Sequence, residues 1–454
     1  MVDVDEPVEQ LAHPQPPCVD RGRSIDVPLA VGRCATGGGA TFRAARWGKG
    51  AIRRSGMSDA TIAYNPFDPS QVDHHDGVLA QLREAGPVHE LLPGFFYVTR
   101  AHEIVEICRK PNIFQQGRFI PLEEDTRPAD ELNLGETNPP QHTRVRKVLA
   151  GVLSPPKVRA MEPLVRDVCA GLVDAFADRG HADMIADLGV PLPGAVIGPI
   201  TGLPPESHSQ FRAYSDAYML RADPDPERVR AAAAFVDDFD AMARECIRER
   251  VASSHRPDDV LTGLIECVDE TGQALTENQI LVHLTKDMVV GGTETTTHLI
   301  GNLFANLCAT PGAYQRVRAD RSLVAAAVEE TLRIAGPVQI LFRVPGEDTE
   351  IAGCPIPKDA TVALGYASAN RDPALFADAN EFSLDRGSEL RKQHFGFGYG
   401  IHLCVGAALA RLEAVCALDA VLDRIPDMTF APDWTYQRVA FFMMRGPTRV
   451  DVRF

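Results

Sequence analysis

The chain has 454 residues, 45% hydrophobic and 24% charged, with a formal net charge of −16. That balance is ordinary for a folded soluble protein with a large core, and its acidity argues against a general nucleic-acid binder, which needs a basic face. Ten cysteines without a single C-x-x-C pair exclude a common zinc ribbon and a disulfide framework, and point to a reducing cytoplasm.

Residues 1–57 mix Pro14, Pro16 and Pro17 with Gly37, Gly38 and Gly39, show little periodicity, and are expected to form a disordered arm. Asp3, Asp5, Glu6 and Glu9 precede any apolar run, against a secretory leader. The abrupt change of character at Asn65, Pro66 and Phe67 motivates the reading that Met57 is the start and the arm an upstream extension. The intact mass of the native protein checks this, and a mass that includes residues 1–56 ends it. Beyond the arm the pattern is mostly helical. A turn at Pro93 and Gly94 opens a strand over Phe95–Val98. Helix-spaced apolar positions mark 141–150, 160–177, 227–252, 277–308 and 322–334, and strand-like runs fall at 340–344 and 361–364. A last helix over about 406–425 stops at Pro426. No stretch reaches the roughly 18 apolar residues of a membrane span. The best, 190–200, is broken by Pro191, Pro193 and Pro199. With no repeat and no linker after residue 57, residues 58–454 read as one α-rich domain with small β-sheets.

Two stretches stand out chemically. Within the 277–308 helix, the two glycines and four threonines that surround Glu294 (Gly291, Gly292, Thr293, Thr295, Thr296 and Thr297) are poor helix formers, costing about 3–5 kcal/mol against alanine by summed propensity. Such a run marks either a functional bulge or a helix packed tightly through glycine. The second runs from His394 to Ala410. Gly396, Gly398 and Gly400 alternate, then His402, Cys404 and Gly406 follow. Alternating glycines let a backbone turn tightly against a flat ligand. A cysteine at a helix start favours thiolate, below a pKa of about 8.5. The spacing is not that of a G-x-G-x-x-G phosphate loop, and the H-x-E and P-C-x-x-C of a zinc deaminase are absent. A buried structural cysteine satisfies the same stretch. Elsewhere, Glu330 and Arg333 share a helix face, as do His142 and Arg146. On their own these are ordinary surface groups, and Ala369 to Pro373 is a turn.

Phe397, Gly398, Gly400, His402, Cys404 and Gly406 together resemble the haem loop of the cytochrome P450 family. The resemblance covers about residues 64–454. It implies a cytochrome P450 fold, a large helical region plus a smaller β-rich lobe, holding haem b with Cys404 as the axial iron ligand. The thiolate would push electron density onto iron and favour O–O cleavage. Gly291, Gly292, Glu294 and Thr295 match the family's oxygen groove, which makes Glu294 and Thr295 the expected proton-delivering pair. His142, Arg146, Arg343, His402 and, less directly, His394 match groups that meet haem propionates. Phe397 would shield the sulfur, and Gly406 would keep the helix start thin. Glu330, Arg333 and Arg386 match a buried structural triad.

The implied enzyme is a soluble bacterial cytochrome P450 monooxygenase, an oxidoreductase that inserts one atom of O2 into a hydrophobic small molecule. Ferredoxin and ferredoxin reductase would supply electrons to a cytoplasmic monomer. The expected substrate walls are the 114–134 loop, which contains Glu123, Glu124 and Asp125, together with residues 338–341 and a turn at Phe441 and Phe442. Steroid, fatty-acid, terpenoid and secondary-metabolite skeletons all suit such walls. Two rival readings are a haem-thiolate peroxygenase or isomerase needing no external electrons, opposed by the intact Glu294 and Thr295, and a haem sensor, opposed by the lack of a signalling domain.

Overall fold

The computed structural model describes residues 75–119, 121, 127–220, 225–439 and 441–454, together with 62, 64–68 and 71. The expected N-terminal arm, the Met57 start and the acidic residues Glu123, Glu124 and Asp125 lie outside these.

The β-rich part is a five-stranded sheet. Its strands are β1 (Val88–Leu92), β2 (Phe95–Val98), β3 (Phe114–Gln116), β4 (Leu341–Pro345) and β5 (Thr361–Leu364), in the order β1-β2-β5-β4-β3. Gly94, at φ 74°, closes the β1–β2 hairpin, as the Pro93–Gly94 pair predicts. Only the β2–β5 pairing is parallel, with Val98 opposite Leu364. All four β2 residues are buried. Phe95 and Tyr97 enter one apolar cluster while Phe96 and Val98 enter another. A strand covered on both faces reads as a continuous apolar run rather than an alternation, and so does Phe95–Val98. Two smaller sheets join His181–Asp183, Asp451–Arg453 and Thr429–Phe430, and Thr349–Ile351 with Cys354–Ile356.

The helices that position the site are α1 (His75–Ala85), α2 (Ala101–Cys108), α3 (Gln141–Val152), α4 (Glu162–Asp174), α5 (Pro191–Thr201), α6 (Phe211–Met219), α7 (Pro226–Ala252), α8 (Glu277–Val282), α9 (Gly291–Ala309), α10 (Val324–Ala335) and α11 (Ala407–Arg424). Residues 296–305 of α9 are buried without a break, as in a helix enclosed by neighbours on every side. Those neighbours include α5, α6, α10 and α11.

The structure corrects the sequence reading at two places. The 277–308 segment is three helices in line. α8 starts on a capping box between Thr276 and Gln279, a π-helical stretch follows over His283–Val290, and α9 begins at Gly291. The wide turns fall directly before the glycine–threonine run, where helix propensity is lowest. The prolines at 191, 193 and 199, in turn, do not break the apolar 190–200 segment. A π turn over Met184–Gly189 leads into α5, and Pro191 stands at its first turn, where an N–H has no intrahelical partner. The resulting helical stretch, Met184–Thr201, has mean hydropathy 1.4 and is long and apolar enough by composition to cross a membrane. More than half of it is buried, and it packs against α9. Core burial accounts for its apolar character.

Glu413 of α11 sits in this core, 2% exposed beside the Thr296 hydroxyl, with its Oε1 unpartnered. Burial pushes its carboxyl up to about 8. The unfolded chain ionises above about 4.5, so stability falls as pH rises from there to about 8. Glu413→Gln removes that loss. Its melting temperature is expected to exceed the parent's by a few degrees at pH 8 and to match it near pH 4, in thermal unfolding at both values. A parent as stable as the variant at pH 8 overturns the assignment.

Candidate functional site

Residues 395–406 turn through a series of short bonds. Gly398 N–H donates to Phe395 O at 2.9 Å, Leu403 N–H to Gly400 O at 3.1 Å, and Cys404 N–H to Phe397 O at 2.9 Å. Gly398 and Gly400 adopt φ of 73° and 76°, which L side chains rarely tolerate. A Cβ at Gly400 would also meet Cys108 O at 2.9 Å, so the loop presses against the end of α2. Cys404 keeps exposed surface although protein atoms surround it closely.

The expected thiolate-favouring helix start is corrected in part. α11 begins at Ala407 with Gly406 as its N-cap, so Cys404 lies outside its first turn. Burial raises the thiol above the usual cysteine range. The Gly406 amide, Arg146, Arg411 and the Ala407 amide pull it down without cancelling that rise. In the protein alone the sulfur is therefore a thiol whose surroundings are arranged for a thiolate. Coordination to a metal would remove its proton outright.

Four of the expected cationic groups converge beside this loop. The rings of His142 and His402 lie 4.0 Å apart. Arg146 Nη2 donates to Leu403 O at 2.7 Å. Arg343 Nη1 donates to Gln116 Oε1 at 2.7 Å and to Phe342 O at 2.9 Å. Burial, then the charges of His142, Arg343 and Arg146, drive His402 down to about 2. Burial, then Arg146, drives His142 down to about 4. His142 is 1% exposed and both its ring nitrogens lack a partner. Among the described residues no carboxylate pairs with any of the four. Donors gathered without a counter-charge, His142 and Arg343 buried and Arg146 and His402 half-buried, suit an anionic ligand. His394 is not among them. Its Nε2 meets Glu329 Oε2 at 2.8 Å and its Nδ1 accepts from Gly396 N–H at 3.0 Å, so both nitrogens are already engaged.

At the head of α9 the two glycines divide the two readings of the run between them. A Cβ on Gly292 would overlap the Ile197 side chain, so this glycine serves close packing against α5. Gly291 is exposed, and a Cβ there would meet nothing nearer than Lys286 O at 3.6 Å. Thr295 Oγ1 donates to Gly291 O at 2.9 Å. Glu294 is not hydrogen-bonded to Thr295. Its Oε1 meets His298 Nε2 at 2.9 Å, and its Oε2 lies 3.6 Å from Arg212 of α6. Burial raises its carboxyl, but the His298 hydrogen bond and the Arg212 charge outweigh that and hold it at about 2. Arg212 also bonds Asp216, whose side chain is partly exposed, so a line of ionisable groups runs outward from Glu294.

Beneath the loop, the fully buried Glu330 and Arg333 pair through two bonds, of 2.6 and 2.8 Å. Arg386 Nε adds a third to Glu330 at 2.8 Å. Arg333 donates further to the carbonyls of Asn370, Ala379 and Glu381, and Asn370 Oδ1 receives Phe395 N–H at 2.6 Å. The triad thus ties α10 to the segment that carries the cysteine loop.

Sequence reasoning missed Arg212, Gln116, Glu329 and Arg411. His298, at i+4 from Glu294, was legible as a helix-face partner, whereas the others meet their partners only across long sequence separations.

These groups fit an iron porphyrin. The orphaned His142 nitrogens and the uncompensated cations suit two propionates, and the Cys404 sulfur, flanked by amides and arginines, suits an iron-bound thiolate.

The family model described as cytochrome P450 matches residues 207–425. The chain is 36% identical over 389 residues to the cytochrome P450 monooxygenase PikC of Streptomyces venezuelae, covering 83% of this chain and 90% of that one. It is 31% identical over 392 residues to 6-deoxyerythronolide B hydroxylase of Saccharopolyspora erythraea, covering 82% and 94%. Among solved structures it resembles cytochrome P450 CYP109Q5 from Chondromyces apiculatus, with a TM-score of 0.75 and 29% identity, over 86% of this chain and 98% of that one.

Proposed function

The chain belongs to the cytochrome P450 family and is a monooxygenase of the bacterial type, and on that premise we propose that it holds haem b with Cys404 as axial ligand and oxidises a hydrophobic small molecule. The observation that carries the ligand reading is the junction of the Cys404 turn with His142, Arg146, Arg343 and His402, which no carboxylate among the described residues pairs, both His142 nitrogens being without a partner. When bound, the haem supplies reductive activation of O2, one oxygen atom going to the substrate and the other to water. The protein's part is to orient, to exclude water and to move protons.

His142, Arg146, Arg343 and His402 would hold the propionates. Gly291 leaves room at the head of α9, and Thr295 Oγ1, which donates to the Gly291 carbonyl, is the proton donor there. To deliver a proton, Thr295 must give up its bond to Gly291 O. To resupply it, Glu294, held ionised by His298 and Arg212, must first turn from them and take up a proton from the partly exposed Asp216 side. Thr295→Ala should therefore keep the haem and the reduced carbon-monoxide spectrum, while product formed per reducing equivalent falls by up to about a hundredfold. Unchanged coupling would mean that another hydroxyl or a water carries the protons.

Phe119, Met219, Val338, Leu341, Phe441 and Phe442 are partly buried and pack on one apolar cluster, which supports a hydrophobic substrate. Val338 bridges to Met444, and Gln339 N–H donates to Met443 O at 2.8 Å, so two of the expected walls are joined.

Electrons come from a ferredoxin served by its reductase. Lys110 follows the α2 end that abuts Gly400, and Lys147 follows Arg146 in α3. Both are exposed, a local positive rim on an acidic protein that suits an acidic partner. The free cysteines among the described residues accord with a cytoplasmic setting. NADH-driven product formation with a ferredoxin and its reductase tests this reading. Turnover with peroxide alone, and none with electrons supplied, overturns the monooxygenase assignment in favour of a peroxygenase.

A further inference from the structure

We propose that Arg411, clamped by Glu329, is a positioning residue that sets the electrostatic field at the Cys404 sulfur and so tunes the reduction potential of the haem held there. The inference rests on the reading of Cys404 as the iron ligand.

Arg411 stands near the start of α11. Its guanidinium grips Glu329 of α10 in a fork, Nε to Oε1 at 2.5 Å and Nη2 to Oε2 at 3.0 Å. Glu329 Oε2 also receives His394 Nε2 at 2.8 Å. Because Gly396 N–H donates to His394 Nδ1, that nitrogen is an acceptor and Nε2 carries the hydrogen. His394 therefore serves Glu329 as a neutral donor. The unit carries one positive and one negative charge, both largely buried, with side-chain exposures of 17% for Arg411 and 13% for Glu329.

Its orientation matters more than its net charge. The guanidinium carbon lies 4.5 Å from the centroid of the Phe397 ring, within range for a cation over an aromatic face. Phe397 in turn accepts the Cys404 N–H through its carbonyl. Arg411 is among the charges felt at the Cys404 sulfur. The positive end of the pair thus lies over the ring of the residue that hydrogen-bonds Cys404. A simple staple between α10 and α11 would need no such orientation. A positive charge beside a thiolate stabilises the state that carries one more electron, so it raises the potential for reducing ferric to ferrous iron. Glu329 fixes the guanidinium in place and partly masks its charge.

The test is an equilibrium titration of the full-length holoprotein with dithionite and mediators, the dithionite supplying the one electron per iron. Arg411→Gln should lower the ratio of ferrous to ferric protein at a fixed potential by about tenfold, a shift of about −59 mV for a one-electron couple. Glu329→Gln should move it the other way, several-fold upward, because the guanidinium is then unmasked. Arg411→Lys should stay within about threefold of the parent. Both neutral variants break the same ion pair. Shifts of the same sign, or none, would identify a staple and overturn the proposal. If Arg411→Gln retains no haem, Glu329→Gln and Arg411→Lys decide by the same criterion. The reduced carbon-monoxide spectrum, recorded on every sample, separates the two levels of inference. A parent without the thiolate-type Soret band refutes the Cys404 ligand itself, whereas a normal band with an unmoved potential refutes only the role of Arg411.

Discussion

Cys404→Ser is expected to abolish the thiolate-type Soret band of the reduced, carbon-monoxide-bound protein and to remove monooxygenase turnover. The loss should exceed the roughly 10–100-fold that changes beyond the ligands themselves usually cost at a metal site. A serine hydroxyl has nearly the shape of a thiol, so the backbone turn from Phe397 to Cys404 and the start of α11 should persist. What is lost is a soft, charge-donating ligand. The other cysteines provide the control. Cys416 is buried in α11, burial pushing its thiol up to about 11, and Cys169 of α4 is fully buried with its thiol also raised. These behave as small apolar groups. Cys416→Ala should cost some stability and leave the band in place. A Cys404→Ser protein that keeps the band, or a parent showing a histidine-type spectrum, sinks the assignment of the ligand.

Breaking the Glu330–Arg333 pair should have the largest effect on stability. Arg333→Ala leaves the Glu330 carboxylate with Arg386 and the Ser383 N–H, and strips donors from the carbonyls of Asn370, Ala379 and Glu381. Removing one partner of a buried pair typically costs about 3–5 kcal/mol, since the other is left charged in a dry place. Arg333→Lys should rescue little, because a single ammonium cannot reproduce the fork to Glu330 and the three carbonyl bonds. As Asn370 also holds Phe395 at the head of the cysteine loop, haem content should fall along with stability. Chemical denaturation and the haem-to-protein ratio measure the two effects. An Arg333→Ala protein with parental stability and full haem would show that the triad is dispensable.

Helices and strands were legible where the local pattern was strong. The Phe95–Val98 and Thr361–Leu364 strands match their apolar runs, and the Gly94 turn was visible in its residues. The glycine–threonine run from Gly291 was legible as costly helix that marks a bulge or close packing, but the π-helix just before it was not, because the wide turns depend on how α9 settles among its neighbours. Prolines misled at 190–200, since a proline at a helix start differs from one in mid-helix only by its context. Motif order alone singled out Cys404, Glu330, Arg333 and Arg386. It could not say that Glu294 would turn to Arg212 and His298 rather than to Thr295, nor that His394 would be taken by Glu329.

The sequence by itself determined the chemistry available: one cysteine in a glycine-spaced turn, cations at helical and strand positions near it, and an acid beside a threonine in a strained helix. These follow from residue type and short-range spacing, which the chain carries locally. The tertiary structure alone decided the electrostatics. Cys404 stands ahead of α11 and is lifted by burial, His142 and His402 face each other without a counter-charge, and Arg411 is turned toward Phe397 by Glu329. Charge, burial and distance act through space, so they are fixed only when segments far apart in sequence are packed together.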